Sequence, residues 1–155
     1  MRGAMRTMVG AVATGLFVLA MSNPAAAAES DNAAWSDAPT GDRTCITVGN
    51  LTATACFKPY GDVIYVQDLS PDANEVYAYW QNQLRDSTGT WGTYRSGTCT
   101  YTGGAYGWGS CNKDFYEHSS SNAWGGKGSR VRVKACVNDL GDDTCSGLTV
   151  WVNNQ

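Results

Sequence analysis

The chain has 155 residues, with 11 basic and 14 acidic side chains, and its formal net charge is −3. This balance disfavours polyanions such as nucleic acid or anionic lipid as partners. Six cysteines in three close pairs are typical of an oxidising compartment; they are Cys45 and Cys56, Cys99 and Cys111, and Cys136 and Cys145.

The first 28 residues have the features of a signal peptide. Two arginines precede an apolar run over residues 9–21, and alanines at 25–28 supply a cleavage site before Glu29. The run is shorter than the roughly 20 residues that span a bilayer. Its removal takes away two basic residues, so nine basic and 14 acidic residues remain and the net charge becomes −5. We expect a secreted protein with no membrane anchor.

Residues 29–43 are expected to form a flexible arm. The segment shows no alternation of apolar and polar side chains and is made largely of Asp, Asn, Ala, Pro and Gly. Its one large aromatic residue is Trp35. A disordered segment with such a side chain can dock in a groove of a partner protein, so Trp35 is a candidate contact residue. The alternative is an unstructured remnant left by signal cleavage. Residues 44–155 then form a single domain.

Short alternating runs separated by turn residues predict an all-β domain. The clearest run is residues 130–138, where Val131 and Val133 alternate with charged side chains. The other runs cover residues 45–47, 54–56, 63–68, 76–85, 92–102, 108–115 and 148–152. Seven or eight strands at this spacing predict a small antiparallel β-sandwich, with a β-barrel as the alternative.

The same alternation favours three local disulfides, each across its own hairpin. Six cysteines allow 15 pairings, and spacing alone does not choose among them. Because successive side chains of a strand point to opposite faces, both cysteines of the first pair lie on the same face of their hairpin, and so do both cysteines of the third pair. Glycines between Cys99 and Cys111 permit a reversal of the chain. Zinc is disfavoured because the cysteine intervals are long.

The late hairpin also predicts a register. With Cys136 opposite Cys145, Arg130 falls opposite Trp151 and Arg132 opposite Thr149. A cation–π contact between Arg130 and Trp151 is then expected on the charged face.

No catalytic set is apparent. His118 is the only histidine, and it follows Glu117 in a Ser-rich loop without a nucleophile elbow. We predict no enzyme activity, no catalytic residue and no cofactor, although 14 carboxylates leave a glycosidase-like pair open.

The acidic loop at residues 138–143 has two interpretations. Asp139, Asp142 and Asp143 are candidate calcium ligands, because calcium prefers oxygen donors. The same residue types are also those of a solvated hairpin turn, which is the preferred interpretation. We therefore predict no metal site.

Aromatic side chains beside glycines are the strongest indication of binding. Tyr106, Trp108 and Trp124 join Trp35 as candidate contact residues, because exposed aromatic rings stack on sugars or anchor protein interfaces. Trp80 lies on the apolar face of its strand and is assigned to the core.

The chain resembles small secreted β proteins of filamentous actinobacteria. The resemblance lies in the Ala-rich leader, Cys56-Phe57 followed by residues 59–62, the strand at residues 63–68, and the Cys136/Cys145 hairpin. In size and in its arm-plus-domain plan it is similar to the adaptor subunit of umbrella-shaped antibacterial toxin particles. That resemblance implies that the protein links lectin-bearing subunits to a large stalk-bearing toxin chain. It does not assign a functional role to any residue of this chain.

The leading hypothesis is a secreted, noncatalytic binding or assembly module that joins other secreted proteins. The alternative is a carbohydrate-binding module whose ligand is a polysaccharide. A further alternative is a hydrolase inhibitor, for which the loop at residues 119–129 is the candidate contact.

Overall fold

Strands form all the regular structure of residues 28–155, the part of the chain that the computed structural model describes. They are β1 Glu29–Asn32, β2 Ala34–Ser36, β3 Thr44–Thr47, β4 Ala53–Lys58, β5 Val63–Asp68, β6 Val76–Asp86, β7 Trp91–Tyr101, β8 Trp108–Asn112, β9 Gly125–Val137, β10 Thr144–Cys145 and β11 Val152–Asn153. The predicted signal peptide lies outside the described residues, apart from Ala28. Within them, no helix has the length and apolar character required to cross a membrane.

The strands build two sheets that face each other. Sheet A has the order β1-β7-β6-β9-β10, with β11 also paired to β9, and sheet B has the order β2-β8-β5-β4-β3. All pairings are antiparallel except that of β1 with β7. The predicted sandwich is confirmed. The barrel alternative is wrong, because each sheet ends in edge strands that do not close on one another.

The core lies between the sheets and follows the predicted alternation. From sheet A it takes Val131, Val133 and Trp80, all fully buried. Phe115 packs edge-to-face against both Trp80 and Phe57, with ring centroids 5.5 and 5.8 Å apart. Such aromatic pairs contribute about 0.5–1.5 kcal/mol each beyond area burial.

Three disulfides connect the predicted partners, Cys45–Cys56, Cys99–Cys111 and Cys136–Cys145. The first and third cross the hairpins β3–β4 and β9–β10 between directly opposed residues. The middle one does not cross a hairpin, because Cys99 is on β7 in sheet A and Cys111 is on β8 in sheet B. The connection over residues 102–107 carries the chain from one sheet to the other, so this disulfide joins the two layers. Disulfides of this kind are typical of an oxidising, extracellular setting.

The prediction of a flexible arm is wrong for residues 29–36. β1 pairs in parallel with Gly97–Thr100 of β7, and β2 pairs antiparallel with Trp108–Ser110 of β8, so the segment switches between the two sheets. Two glycines make room for it. A Cβ on Gly97 would lie 2.5 Å from the carbonyl oxygen of Glu29, and one on Gly109 would lie 2.7 Å from the Cβ of Ala33.

The C-terminal register also differs from the prediction. Val131 lies opposite Val152, and Arg130 opposite Asn153 rather than Trp151. The returning chain holds two more residues than a regular ladder. Side-chain oxygens bridge the irregularity, because Ser146 Oγ accepts from Ala135 N–H at 2.9 Å and Thr149 Oγ1 accepts from Val133 N–H at 3.1 Å.

Candidate functional site

Three of the four predicted contact residues lie along one edge of the sandwich. Trp35 occupies the middle of β2 and is 73% exposed. Tyr106, in the connection before β8, is 66% exposed, and Trp108 begins β8 directly opposite Ser36. We call Trp35, Tyr106 and Trp108 the aromatic edge.

The aromatic edge presents rings on both sides of sheet B. Trp35 is paired with Gly109 and Ser36 with Trp108, and successive residues of a strand point to opposite faces. Trp108 is half-buried against Tyr65, with the two ring centroids 6.4 Å apart in an edge-to-face arrangement. Trp35 is therefore the member that offers the most uncovered apolar surface.

β2 is also the last strand of sheet B, so no described strand pairs with its outer side. An unpaired strand edge is a template for the backbone of another chain. A partner that adds a strand there would place its side chains around Trp35.

Salt bridges hold the β1–β2 segment in place. Lys113, whose side chain is only 6% exposed, donates to Glu29 Oε2 at 2.9 Å and to the Asp31 carboxylate. Arg95 pairs with the other Glu29 oxygen at 3.4 Å. A buried ammonium group without a counter-charge is costly, so the two carboxylates tie this segment to the domain. We call Glu29, Asp31, Arg95 and Lys113 the arm clamp.

Sequence reasoning missed the arm clamp because its partners are 66 to 84 residues apart. The one available signal is the pair of acidic residues at alternate positions, Glu29 and Asp31, in a segment of otherwise small side chains. Residues two apart on a strand point to the same face, and both reach Lys113.

Trp124 lies away from the aromatic edge. Its ring is edge-to-face with Tyr94, at 6.0 Å between centroids, and packs over Gly92 at the start of β7, whereas Tyr106 follows the end of that strand. The 11 residues of β7 span about 36 Å at roughly 3.3 Å per residue. Asn122 secures the loop by donating to the carbonyls of Arg85 and Gly128. Trp124 is thus a half-buried packing residue, and residues 125–129 of the predicted loop belong to β9.

The three candidate calcium ligands do not converge. Asp143 accepts a hydrogen bond from the Tyr77 hydroxyl at 2.5 Å, and Asp139 is 3.5 Å from the side-chain amide of Asn74. Among residues 28–155 no group of three or more His, Cys, Asp or Glu side chains has the arrangement needed to hold a metal ion. Burial and the Asp143 carboxylate raise the pKa of Tyr77 to about 12.

A cavity of about 520 Å³ opens at one end of the sandwich. Asp68, Asn74 and Tyr101 line it together with Glu75 and the connection after β7. Burial raises the pKa of Asp68, partly opposed by the hydrogen bond from Ser70 N–H to Asp68 Oδ1 at 2.9 Å. The cavity offers carboxylate, amide and hydroxyl groups at the end of the molecule where Tyr106 is found.

No protein-family model, no curated protein sequence and no solved structure matches the chain.

Proposed function

We propose that the protein is a secreted, noncatalytic assembly module that docks a partner protein on the aromatic edge. In its finer form the proposal is an adaptor subunit of a secreted antibacterial toxin complex, the role implied by the sequence resemblance. The observation that carries it is Trp35, 73% exposed at the centre of an open strand edge.

Energetic considerations support Trp35 as the anchor. Tryptophan is enriched among interface residues whose truncation costs about 2 kcal/mol or more. The arm clamp holds the β1–β2 segment in an ordered conformation, so a partner would not have to order the segment on binding. Preorganisation of this kind increases affinity, because less conformational freedom is lost in the complex.

Photo-crosslinking tests the proposal directly. A benzoylphenylalanine introduced at position 35 should capture one partner from the native culture supernatant. The same group introduced at Tyr60, which is 57% exposed in the turn between β4 and β5, should not capture it. Reciprocal purification through a tag on the captured protein should recover this chain. Equal capture from both positions, or none from position 35, would contradict the proposal.

Because of the arm clamp, a deletion of the β1–β2 segment does not distinguish loss of a binding contact from loss of stability. Removing residues 29–43 would take away Trp35 together with the counter-charges of Lys113. Loss of a partner after that deletion would then report unfolding as readily as loss of contact. Trp35→Ala separates the two effects.

A carbohydrate-binding module is the second candidate, and the cavity next to Asp68 and Asn74 supports it. Sugar sites combine an apolar wall with a few convergent polar groups, and this cavity has both. Retention on cell-wall or plant polysaccharide that is lost in Asn74→Ala and kept in Trp35→Ala would favour this function over protein assembly.

A further inference from the structure

The outer face of sheet A carries an alternating stack of aromatic and cationic side chains. The Arg130 guanidinium carbon lies 4.5 Å from the ring centroid of Trp91 and 4.8 Å from that of Trp151. The Arg132 guanidinium carbon lies 4.3 Å from the same Trp151 ring. We call Trp91, Arg130, Trp151 and Arg132 the cation–π stack.

Glutamine side chains fix the two guanidinium groups. Arg130 Nε donates to Gln83 Oε1 and Arg132 Nε donates to Gln81 Oε1, each at 2.8 Å. The terminal Nη atoms of both arginines make no hydrogen bond to any described protein atom. Arg130 is thus held by its Nε and two indole rings, and Arg132 by its Nε and one indole ring, while the outer donors of both stay available to a ligand.

The two arginines also have no counter-charge. In residues 28–155 the ion pairs within 4.0 Å are those of the arm clamp, and none involves Arg130 or Arg132. Burial, with Arg132 next to it, lowers the pKa of Arg130. The two guanidinium groups stand two residues apart on one strand and contact the same indole ring, so they repel each other and a bound anion would relieve that repulsion.

Lys134 continues the positive row on the same face of β9, with Nζ 5.2 Å from the ring centroid of Tyr79. Beyond it the charge reverses. Glu75 and Asp143 line a cavity of about 320 Å³ together with Lys134. The centre of positive charge is therefore at Arg130 and Arg132.

The net charge of the whole chain disfavours polyanions, but charges more than about 10 Å away are largely screened in salt, so the local positive pair decides binding at this face. From this geometry we propose that the cation–π stack binds an acidic polysaccharide, one that carries uronate or sulfate groups. Arginine forks are suited to bidentate contact with carboxylate and sulfate-like oxygens. Both glutamine Oε1 atoms accept from the arginines, and Gln81 Nε2 donates to the Tyr79 hydroxyl. Gln83 Nε2 and the Tyr79 O–H are left as donors to sugar oxygens. An acidic peptide fits less well, because extended peptides bind at sheet edges or in grooves, and this site is the open face of a sheet.

Titration of the purified protein with heparin, polygalacturonate, poly-glutamate and neutral dextran at about 0.05 M salt tests the site. Heparin and polygalacturonate distinguish sulfate from uronate. We expect binding of at least one acidic polymer and none of dextran. Binding of dextran, no binding of either acidic polymer, or equally tight binding of poly-glutamate would overturn the proposal.

The decisive variants are Arg130→Gln with Arg132→Gln, matched by Arg43→Gln with Lys58→Gln. Arg43 precedes β3 and Lys58 ends β4, so these two charges belong to sheet B, the layer opposite the stack, and both pairs remove two positive charges. We expect the first pair to weaken binding about tenfold or more, the loss typical of charge-assisted hydrogen bonds, and the second to weaken it much less. An equal loss in the two pairs would mean that only net charge matters, and would overturn the assignment.

A measurement on the unaltered protein keeps the test independent of folding. On titration with the acidic polymer, the indole N–H signals of Trp91 and Trp151 should shift in the NMR spectrum while that of Trp35 stays fixed. A shift at Trp35 alone would overturn the site. Trp35→Ala should leave polymer binding unchanged, so failure here and failure of the assembly proposal are distinguishable.

Discussion

The two terminal segments of the described chain each lie at a sheet edge and each carry a tryptophan, yet the two rings differ in how much of their surface is exposed. Trp35 is 73% exposed on β2. Trp151, just before β11, lies half-buried between Arg130 and Arg132. Each segment lies next to two cationic side chains. The groups that interact with these cations, either carboxylates or the indole ring itself, determine how much of the tryptophan is exposed.

At the N-terminal segment, Glu29 and Asp31 neutralise Lys113, and the Trp35 ring is left free. Residues 146–155 contain no carboxylate side chain. There the Trp151 ring contacts both guanidinium groups, and the Cys136–Cys145 disulfide completes the attachment. Trp151 therefore packs into the fold, whereas most of the Trp35 ring stays exposed.

The largest stability effect is expected from Trp151→Ala. The change removes two cation–π contacts and part of a packed aromatic surface, so we expect a loss of about 2–3 kcal/mol in the free energy of unfolding. Urea denaturation followed by circular dichroism measures it. A loss below about 0.5 kcal/mol, the range of ordinary surface substitutions, would remove the contrast with Trp35.

The next largest stability effect is expected from the arm clamp. Glu29→Gln with Asp31→Asn leaves Lys113 without a counter-charge, and we expect a loss of about 2 kcal/mol, reduced from the buried-pair value because both carboxylates are partly exposed. Hydrogen exchange should then increase in β1 and β2. The matched control is Asp37→Asn with Asp42→Asn, two exposed acidic residues nearby. Comparable losses in both pairs would show that the clamp does not hold the segment.

A smaller effect depends on pH and concerns the C-terminal segment. The pKa of Tyr77 is raised to about 12 in the folded protein, against an ordinary value near 10. Between these values the unfolded chain loses the tyrosine proton first, so stability should fall as pH rises from about 10 to 12. Tyr77→Phe should remove this component of the pH dependence, and Tyr60→Phe should keep it. Identical pH profiles for wild type and Tyr77→Phe would contradict the contact with Asp143.

The smallest stability effect is expected from Trp35→Ala. Its ring makes little contact with the domain, so the free energy of unfolding should change by no more than about 0.5 kcal/mol. Denaturation under the conditions used for Trp151→Ala provides the measurement. A larger loss would mean that Trp35 is structural, like Trp151.

The sequence predicts those parts of the fold that depend on local patterns. Strand β5 has the predicted bounds, and the alternation of Val131 and Val133 identifies the buried face of β9. Parity identifies the two hairpin disulfides, because both cysteines of each pair lie on adjoining antiparallel strands. The sheet-to-sheet role of Cys99–Cys111 escapes prediction, since glycines permit a hairpin and a crossover equally.

The remaining features depend on contacts between distant residues. The β1–β2 segment lacks alternation because its pairing relies on backbone hydrogen bonds and on room left by Gly97 and Gly109. Leu148 and Val150 are apolar but exposed, because Ser146 and Thr149 accept backbone hydrogen bonds and displace the ladder. Composition identifies Trp35 and Trp124 equally as candidates. Only the packing partners of each ring separate the exposed one from the half-buried one.

Recovery of the partner protein with Trp35→Ala, relative to the wild type, tests whether Trp35 anchors the partner. The partner is first identified by crosslinking through position 35. It is then purified with equal amounts of the wild type and Trp35→Ala, and denaturation shows that both are folded. We predict a drop of about 30-fold in affinity, the loss expected for an interface anchor worth 2 kcal/mol, with stability unchanged. Unchanged recovery of the partner by a fully folded Trp35→Ala variant would show that Trp35 is not the anchor.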